Sequence, residues 1–200
     1  ITNIAQSFCV LVTNRYLVPY GTDKVAAMGI AMKVSMIAVL MMIGFAFGVQ
    51  PLIGYNYGAK NMVRLRQTLR FSYIFECTFS LGMTVILWLA APMLIRLFMN
   101  DAAVVSIGTP MLRRLILGLA CYAFTLVTTC TFQASGKALG AFILSISGQG
   151  IIYALAMAVL SRFLGYAGII STQPVSDVIT SVLAVVLFFT SFYKEIRRKK

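Results

Sequence analysis

No histidine occurs in the 200-residue sequence, and only five acidic residues stand against seventeen Lys and Arg. Without histidine, and without a Ser/His/Asp, metal or paired-carboxylate arrangement, a hydrolytic site cannot be assembled, and no enzyme is expected. Cysteine is scarce too. Cys9, Cys77, Cys121 and Cys130 fall in different apolar stretches without metal-ligand spacing, so neither a structural metal, a disulfide framework nor a cofactor is expected. A phosphate-binding loop of the Walker type is also missing, which excludes an ATP-driven motor on this chain.

What the sequence has instead is hydrocarbon. It is 60% hydrophobic and 11% charged, with a mean hydropathy of +0.91, which marks an integral membrane protein. Runs of about 20 apolar residues cross roughly 30 Å of hydrocarbon. Such runs lie near 2–20, 27–53, 71–95, 110–132, 139–161 and 174–193. The expectation is an all-α bundle of six transmembrane helices with short connections and no soluble domain. The first residue is Ile1 and nothing basic precedes the first run, so no signal peptide is recognised and the chain reads as part of something longer.

Charge sets the orientation. With alternating connections, Lys60, Arg64, Arg66, Arg70, Lys137, Lys194, Arg197, Arg198, Lys199 and Lys200 share one side. Lys24, Arg96, Arg113, Arg114 and Arg162 share the other, with Arg15 and Lys33 near that same end. Basic residues in short loops stay inside, so the loop Gly54 to Arg70 and the C-terminus should be cytoplasmic, in a cell (inner) membrane. The net charge of +12 then concerns topology and anionic lipid headgroups, not nucleic acid.

The stretch Gly44 to Lys60, GFAFGVQPLIGYNYGAK, organises the rest. Gly44 and Gly48 offer a bare ridge to a neighbouring helix. Pro51 removes an amide donor, so the helix should bend and then break into a turn rich in glycine and tyrosine. Gln50 beside it needs a partner or water in hydrocarbon. The reading is either a packing ridge and helix stop or a functional hinge.

Other polar residues divide the same way. Asn3, Gln6, Thr13 and Asn14 fall roughly on one side of the first helix, as a cavity wall or as interhelical hydrogen bonds. Met28, Met32, Met36, Met41 and Met42, with Phe45 and Phe47, suit either plain packing or promiscuous apolar binding. Ser72, Glu76, Ser80 and Thr84 recur every four residues and should point into the bundle. Glu76, the acid placed well inside a span, is either a proton relay or cation ligand, or a carboxylate paired with a base from Lys60 to Arg70. Asn100 or Asp101 can start a short amphipathic segment on the outer surface. Thr22 or Asp23 is expected to cap the second helix, and Thr172 or Gln173 the sixth, with Pro174 and Asp177 in its first turn. Asp177 is then a dipole-stabilising charge or a substrate contact.

Five blocks carry a resemblance. These are Ala26-Ala-Met-Gly-Ile30, the run Gly48-Val-Gln50-Pro51-Leu-Ile-Gly54-Tyr55-Asn56-Tyr57-Gly58-Ala-Lys60-Asn61, Phe98-Met-Asn100-Asp101, Phe132-Gln133-Ala-Ser-Gly136-Lys137 and Gln173-Pro174-Val-Ser-Asp177. In order and spacing they resemble the C-terminal six-helix half of multidrug and toxic-compound extrusion (MATE) transporters. The resemblance implies one lobe of a twelve-helix secondary antiporter that exports small amphipathic, often cationic drugs against H+ or Na+. It makes Gly48, Pro51, Gly54, Tyr55, Asn56 and Gly58 signature or hinge positions, and Asn14 a polar position of the first helix. With Gln50, Glu76, Tyr122 and Asp177, Asn14 completes the expected substrate and ion pathway. The partners implied are membrane lipid and the N-terminal six-helix lobe. Some branches place carboxylates in the first and fourth helices of this lobe; neither span has one here. Two alternatives remain: a lipid-linked oligosaccharide flippase of the same superfamily, which would line its cavity with bases such as Arg15, Lys33, Arg113 and Arg114, and a membrane subunit that transports nothing.

Overall fold

The computed structural model describes residues 2–193, and side chains within 6–192. The basic tail Lys194 to Lys200, and the side chain of Asn3, lie outside the described residues. Among the described residues the chain is helical and forms six rods. The first is α1 (Thr2–Leu17), closed by a 3-10 turn Val18–Tyr20. Two long helices follow, α2 (Thr22–Gly58) and α3 (Met62–Phe98). The fourth rod is α4 (Ala102–Leu115), a 3-10 turn Ile116–Gly118 and α5 (Leu119–Ala134). The fifth is α6 (Ala138–Ile146), a π-helical segment Ser147–Ile151 and α7 (Ile152–Leu164); the sixth is α8 (Tyr166–Leu187) with a π-helical end Phe188–Tyr193. Five rods, all but the first, are long and apolar enough to cross a membrane.

The rods outrun the apolar stretches that announce them, because flanking polar residues continue the hydrogen-bond ladder. At 37 residues each, α2 and α3 reach about 55 Å, well past the hydrocarbon. α2 stays helical through Pro51 and on to Gly58, so Tyr55, Asn56 and Tyr57 form its last turns and not a loop. The reversal is confined to Ala59, Lys60 and Asn61, with Lys60 at φ 55°. Arg64, Arg66 and Arg70 accordingly lie on the first turns of α3, whose start is capped by Asn61 accepting from the Arg64 amide at 3.1 Å.

Packing follows alanine more than glycine. Ala27, Ala31, Val34, Ala38, Met42, Ala46, Val49 and Ile53 are buried on one face of α2, spaced by three or four residues. The expected ridge Gly44 and Gly48 points elsewhere: a Cβ at either would meet nothing within 4 Å. Gly54 does mediate an approach, since its Cβ would lie 3.4 Å from the Ala134 carbonyl oxygen at the end of α5.

Three other expectations are corrected. Gly21, with no side-chain cap, precedes α2, so Thr22 and Asp23 do not cap it. Asp101 does cap a helix, accepting from the Ala103 amide at 2.8 Å, but that helix is α4, the first half of the fourth rod. It buries Val104, Gly108, Met111 and Leu112 and does not lie on the outer surface. The sixth rod starts at Tyr166 after Gly165, whose φ of 54° suits glycine, so Thr172 and Gln173 are not caps and Pro174 is inside the helix.

Candidate functional site

Polar side chains on the bundle's inner faces fall into two groups, those that serve the backbone and those that open on space. Thr125, Thr128, Thr129 and Thr131 each donate to the carbonyl four residues back, at 2.7 to 3.1 Å, so α5 carries hydroxyls without orphaned donors. Thr13 does the same with Cys9 O at 2.7 Å and also meets the Tyr153 hydroxyl at 2.6 Å, tying α1 to α7.

The π-helical segment Ser147–Ile151 breaks the regular ladder beside these groups. Two carbonyls there find side-chain donors instead. Cys9 Sγ donates to Gln149 O at 2.8 Å and Ser176 Oγ to Gly148 O at 2.9 Å, so α1 and α8 both clamp the bulge. Such bulges often accompany functional sites.

Beside the bulge lies a cavity of about 530 Å³ walled by α1, α2, the fourth rod, the fifth rod and α8. That volume suits a small organic molecule. Its apolar wall includes Val10, Met32, Met36, Val39, Leu40, Ile43, Phe47, Leu119 and Leu126. Its polar wall includes Gln6, Ser35, Tyr122, Thr125, Thr129, Gln133, Gln149, Gln173 and Thr180. Among the described residues one carboxyl side chain lines it, that of Asp177. No Lys or Arg among the described residues lines it.

Asp177 sits three turns into α8, not in its first turn, and is 9% exposed. The cause is backbone shape. A Cβ on Gly118 would lie 2.5 Å from Asp177 Oδ2 and 2.9 Å from the Pro174 Cα, so the fourth rod reaches α8 only because residue 118, at the 3-10 turn, is bare. Asp177 Oδ1 accepts from Gln173 Nε2 at 3.0 Å, one turn earlier. Gln149 adds a buried Oε1 with no hydrogen-bond partner. The site therefore combines one carboxylate, several amides and adaptable thioethers, which can hold a cation flanked by apolar surface.

The remaining expected residues distribute as follows. Tyr122 lines the cavity. Gln50 donates from Nε2 to Gln133 Oε1 at 3.3 Å, joining α2 to a lining residue of α5. Glu76 is fully buried on α3, outside the cavity wall, and neither of its oxygens has a hydrogen-bond partner, so the pairing with a base between Lys60 and Arg70 is not made. Asn14 is half-buried beyond the lining, nearer the end of α1. Among the signature positions, Asn56 is buried and donates to Leu52 O at 2.8 Å, while Tyr55 is 73% exposed. The methionines divide: Met28 and Met42 pack in the core, Met32 and Met36 line the cavity, and Met41 is exposed. Gln149 and Gln173 were not among the expected pathway residues, and the bond that pairs Gln173 with the expected Asp177 was not foreseen. The four-residue spacing of Gln173 and Asp177 was available as a signal, hidden by placing the start of the sixth helix eight residues late.

Comparison with known proteins agrees with this architecture. The family model described as MatE matches residues 1–157. The multidrug export protein MepA of Staphylococcus haemolyticus is 28% identical over 181 residues, covering 90% of this chain and 39% of that protein. MepA of Staphylococcus aureus is 26% identical over 192 residues, covering 94% of this chain and 41% of its own length. The chain thus spans about two-fifths of the length of these relatives. An outward-facing MATE family transporter of the MOP superfamily superposes with a TM-score of 0.89 at 19% identity, over 100% of this chain and 44% of that one. The Vibrio cholerae MATE transporter VcmN in its bent form gives 0.87 at 20% identity, over 99% and 44%. The six-rod architecture and the family match together place this multi-pass membrane chain in the MatE family.

Proposed function

We propose that the chain is the C-terminal six-helix lobe of a two-lobe MATE-type transporter that exports small amphipathic, cationic compounds in antiport with H+ or Na+. The observation that carries this reading is the cavity wall, where among the described residues Asp177 is the one carboxyl side chain, set among Met32, Met36, Phe47 and several amides. A lone carboxylate favours cations without fixing their shape, and thioethers accommodate many shapes. The other lobe would close the cavity, and the two would rock about it to expose it to either side. The export named for the MepA relatives supports the reading. Lys60, Arg64, Arg66, Arg70 and Lys137 cluster at one end of the rods, which supports that end, and the C-terminus with it, being cytoplasmic in the cell membrane.

A flippase for lipid-linked oligosaccharides fits less well. It needs bases in the cavity, whereas Arg15, Lys33, Arg113 and Arg114 lie outside the lining, and Arg113 holds its guanidinium 4.2 Å from the Trp88 ring. The test is dye accumulation in cells stripped of their own drug pumps and expressing the complete transporter. Reduced accumulation of cationic dyes, abolished when the membrane ion gradients are collapsed, is expected; accumulation unchanged by good expression would reject the reading.

A further inference from the structure

A second recess, of about 440 Å³, opens where α1 meets the fifth and sixth rods, at the end of the bundle opposite Lys60 and Lys137. Arg15 of α1 and Arg162 of α7 both border it, together with Tyr16, Tyr20 and Ser161. No Asp or Glu among the described residues lines it. Asp23, the acid nearest in sequence to Tyr20, is exposed on the first turn of α2 and stands outside the lining. Neither arginine has an ion-pair or hydrogen-bond partner among the described residues. Two like charges from separate helices therefore share one recess, an arrangement that repels itself unless an anion lies between them.

The wall around these bases is held in place. The Tyr20 and Tyr166 rings lie 5.8 Å apart, and Lys24 Nζ sits 5.5 Å from the first and 4.6 Å from the second, adding a third positive charge beside the recess. The Tyr20 hydroxyl is 3.4 Å from where a Cβ on Gly165 would stand, so the turn between the fifth and sixth rods fits closely against it. Each arginine also tops an exposed apolar stripe. Phe8, Leu11 and Arg15 share one face of α1, and Leu155, Val159 and Arg162 share one face of α7. Gln6, Cys9 and Val10, which line the cavity, lie on the opposite side of α1. Whatever closes the cavity leaves the Arg15 stripe turned to the hydrocarbon. Tyrosine rings and bases beside exposed apolar side chains are the chemistry of the headgroup level.

We propose that this recess binds the phosphate of an anionic phospholipid, whose acyl chains lie along the two apolar stripes. The guanidinium groups of Arg15 and Arg162 donate to the phosphate oxygens, and the Tyr16 and Tyr20 hydroxyls are at hand for the glycerol and headgroup oxygens. A zwitterionic lipid carries its own cation beside the phosphate and gains less from three clustered bases. The lipid would join α1 to α7 at this end of the rods, as the Thr13 and Tyr153 hydroxyls do at 2.6 Å deeper in the bundle. The site is independent of which compounds occupy the cavity.

The test is photolabelling of the complete transporter in detergent by phosphatidylglycerol with a diazirine in its acyl chain, the labelled peptides being mapped by mass spectrometry. Label is expected on the α1 and α7 stripes, displaced by unlabelled phosphatidylglycerol and not by phosphatidylcholine or free glycerol phosphate. Each base near an anionic headgroup strengthens binding about fivefold, so the double variant Arg15→Gln with Arg162→Gln should lose about tenfold or more of that label. Label on the exposed face of α3 should stay unchanged, and Arg15→Lys with Arg162→Lys should keep most of the label on the stripes. Equal labelling of the stripes in wild type and the Gln variant, or no label there in wild type, would overturn the inference. Displacement by glycerol phosphate as effective as by the lipid would overturn it too, by assigning the recess to a soluble phosphate.

Discussion

Replacing Asp177 by Asn tests the charge in the cavity with little disturbance to its shape. The asparagine oxygen can still accept from Gln173 Nε2, now at 3.0 Å from Asp177 Oδ1, and it fits the space left by the bare Gly118. What disappears is one negative charge. Unit charges about 4 Å apart interact by about 4 kcal/mol at an effective permittivity of about 20, and by about 1 kcal/mol in bulk water. Asp177 is 9% exposed and borders a cavity rich in amides and hydroxyls, so an intermediate value of about 2 kcal/mol applies, or about thirtyfold in Kd. Equilibrium binding of a cationic dye and of a neutral compound of the same shape, each to purified wild type and Asp177→Asn, isolates this term. The cation should lose about thirtyfold and the neutral compound less than about threefold. If both lose affinity equally, or neither does, Asp177 does not recognise charge and the account of the cavity fails.

Three structural predictions accompany it. Gly118→Ala drives a methyl against Asp177 Oδ2 and the Pro174 Cα, so thermal stability in detergent should fall by about 1–3 kcal/mol and cation binding should weaken with it; an unchanged melting temperature would contradict the close approach. Ser176→Ala removes the donor to Gly148 O, and faster amide exchange confined to Ser147–Ile151 is expected, whereas uniform protection along the fifth rod would show that the bulge needs no clamp. Thr13→Val breaks a buried bond to Tyr153 and should cost about 1–2 kcal/mol of stability, matched by Tyr153→Phe, and a double variant no worse than either single one would place the effect in that bond.

The helices were legible because hydrocarbon length is written directly in apolar runs, and five of the six rods carry it unambiguously. Their ends were not, since Tyr55 to Gly58 and Tyr166 to Gln173 continue a helix on hydrogen bonds that composition does not display. Pro51, Pro110 and Pro174 all lie inside helices, where packing against neighbouring rods overrides the local tendency to stop. The polar stripe of α3 pointed inward as its four-residue period required, with Ser72, Glu76 and Ser80 buried. Asp177 was visible as a candidate, but its role depended on where α8 begins. Once that start moves to Tyr166, a capping charge becomes a mid-helix carboxylate on a cavity wall. Gly44 and Gly48 illustrate the converse. Small spacing licenses close packing without choosing the face, and the alanine face of α2 took that role.

The measurement that bears most directly on the central claim is exchange in liposomes. The complete transporter, reconstituted with a cationic dye and an imposed H+ or Na+ gradient, should move dye against the ion flow, with Asp177→Asn at least about tenfold slower at subsaturating dye. Dye movement that ignores both gradients, or an Asp177→Asn variant as fast as wild type for cationic dyes, would contradict a cation-recognising cavity at the centre of this lobe.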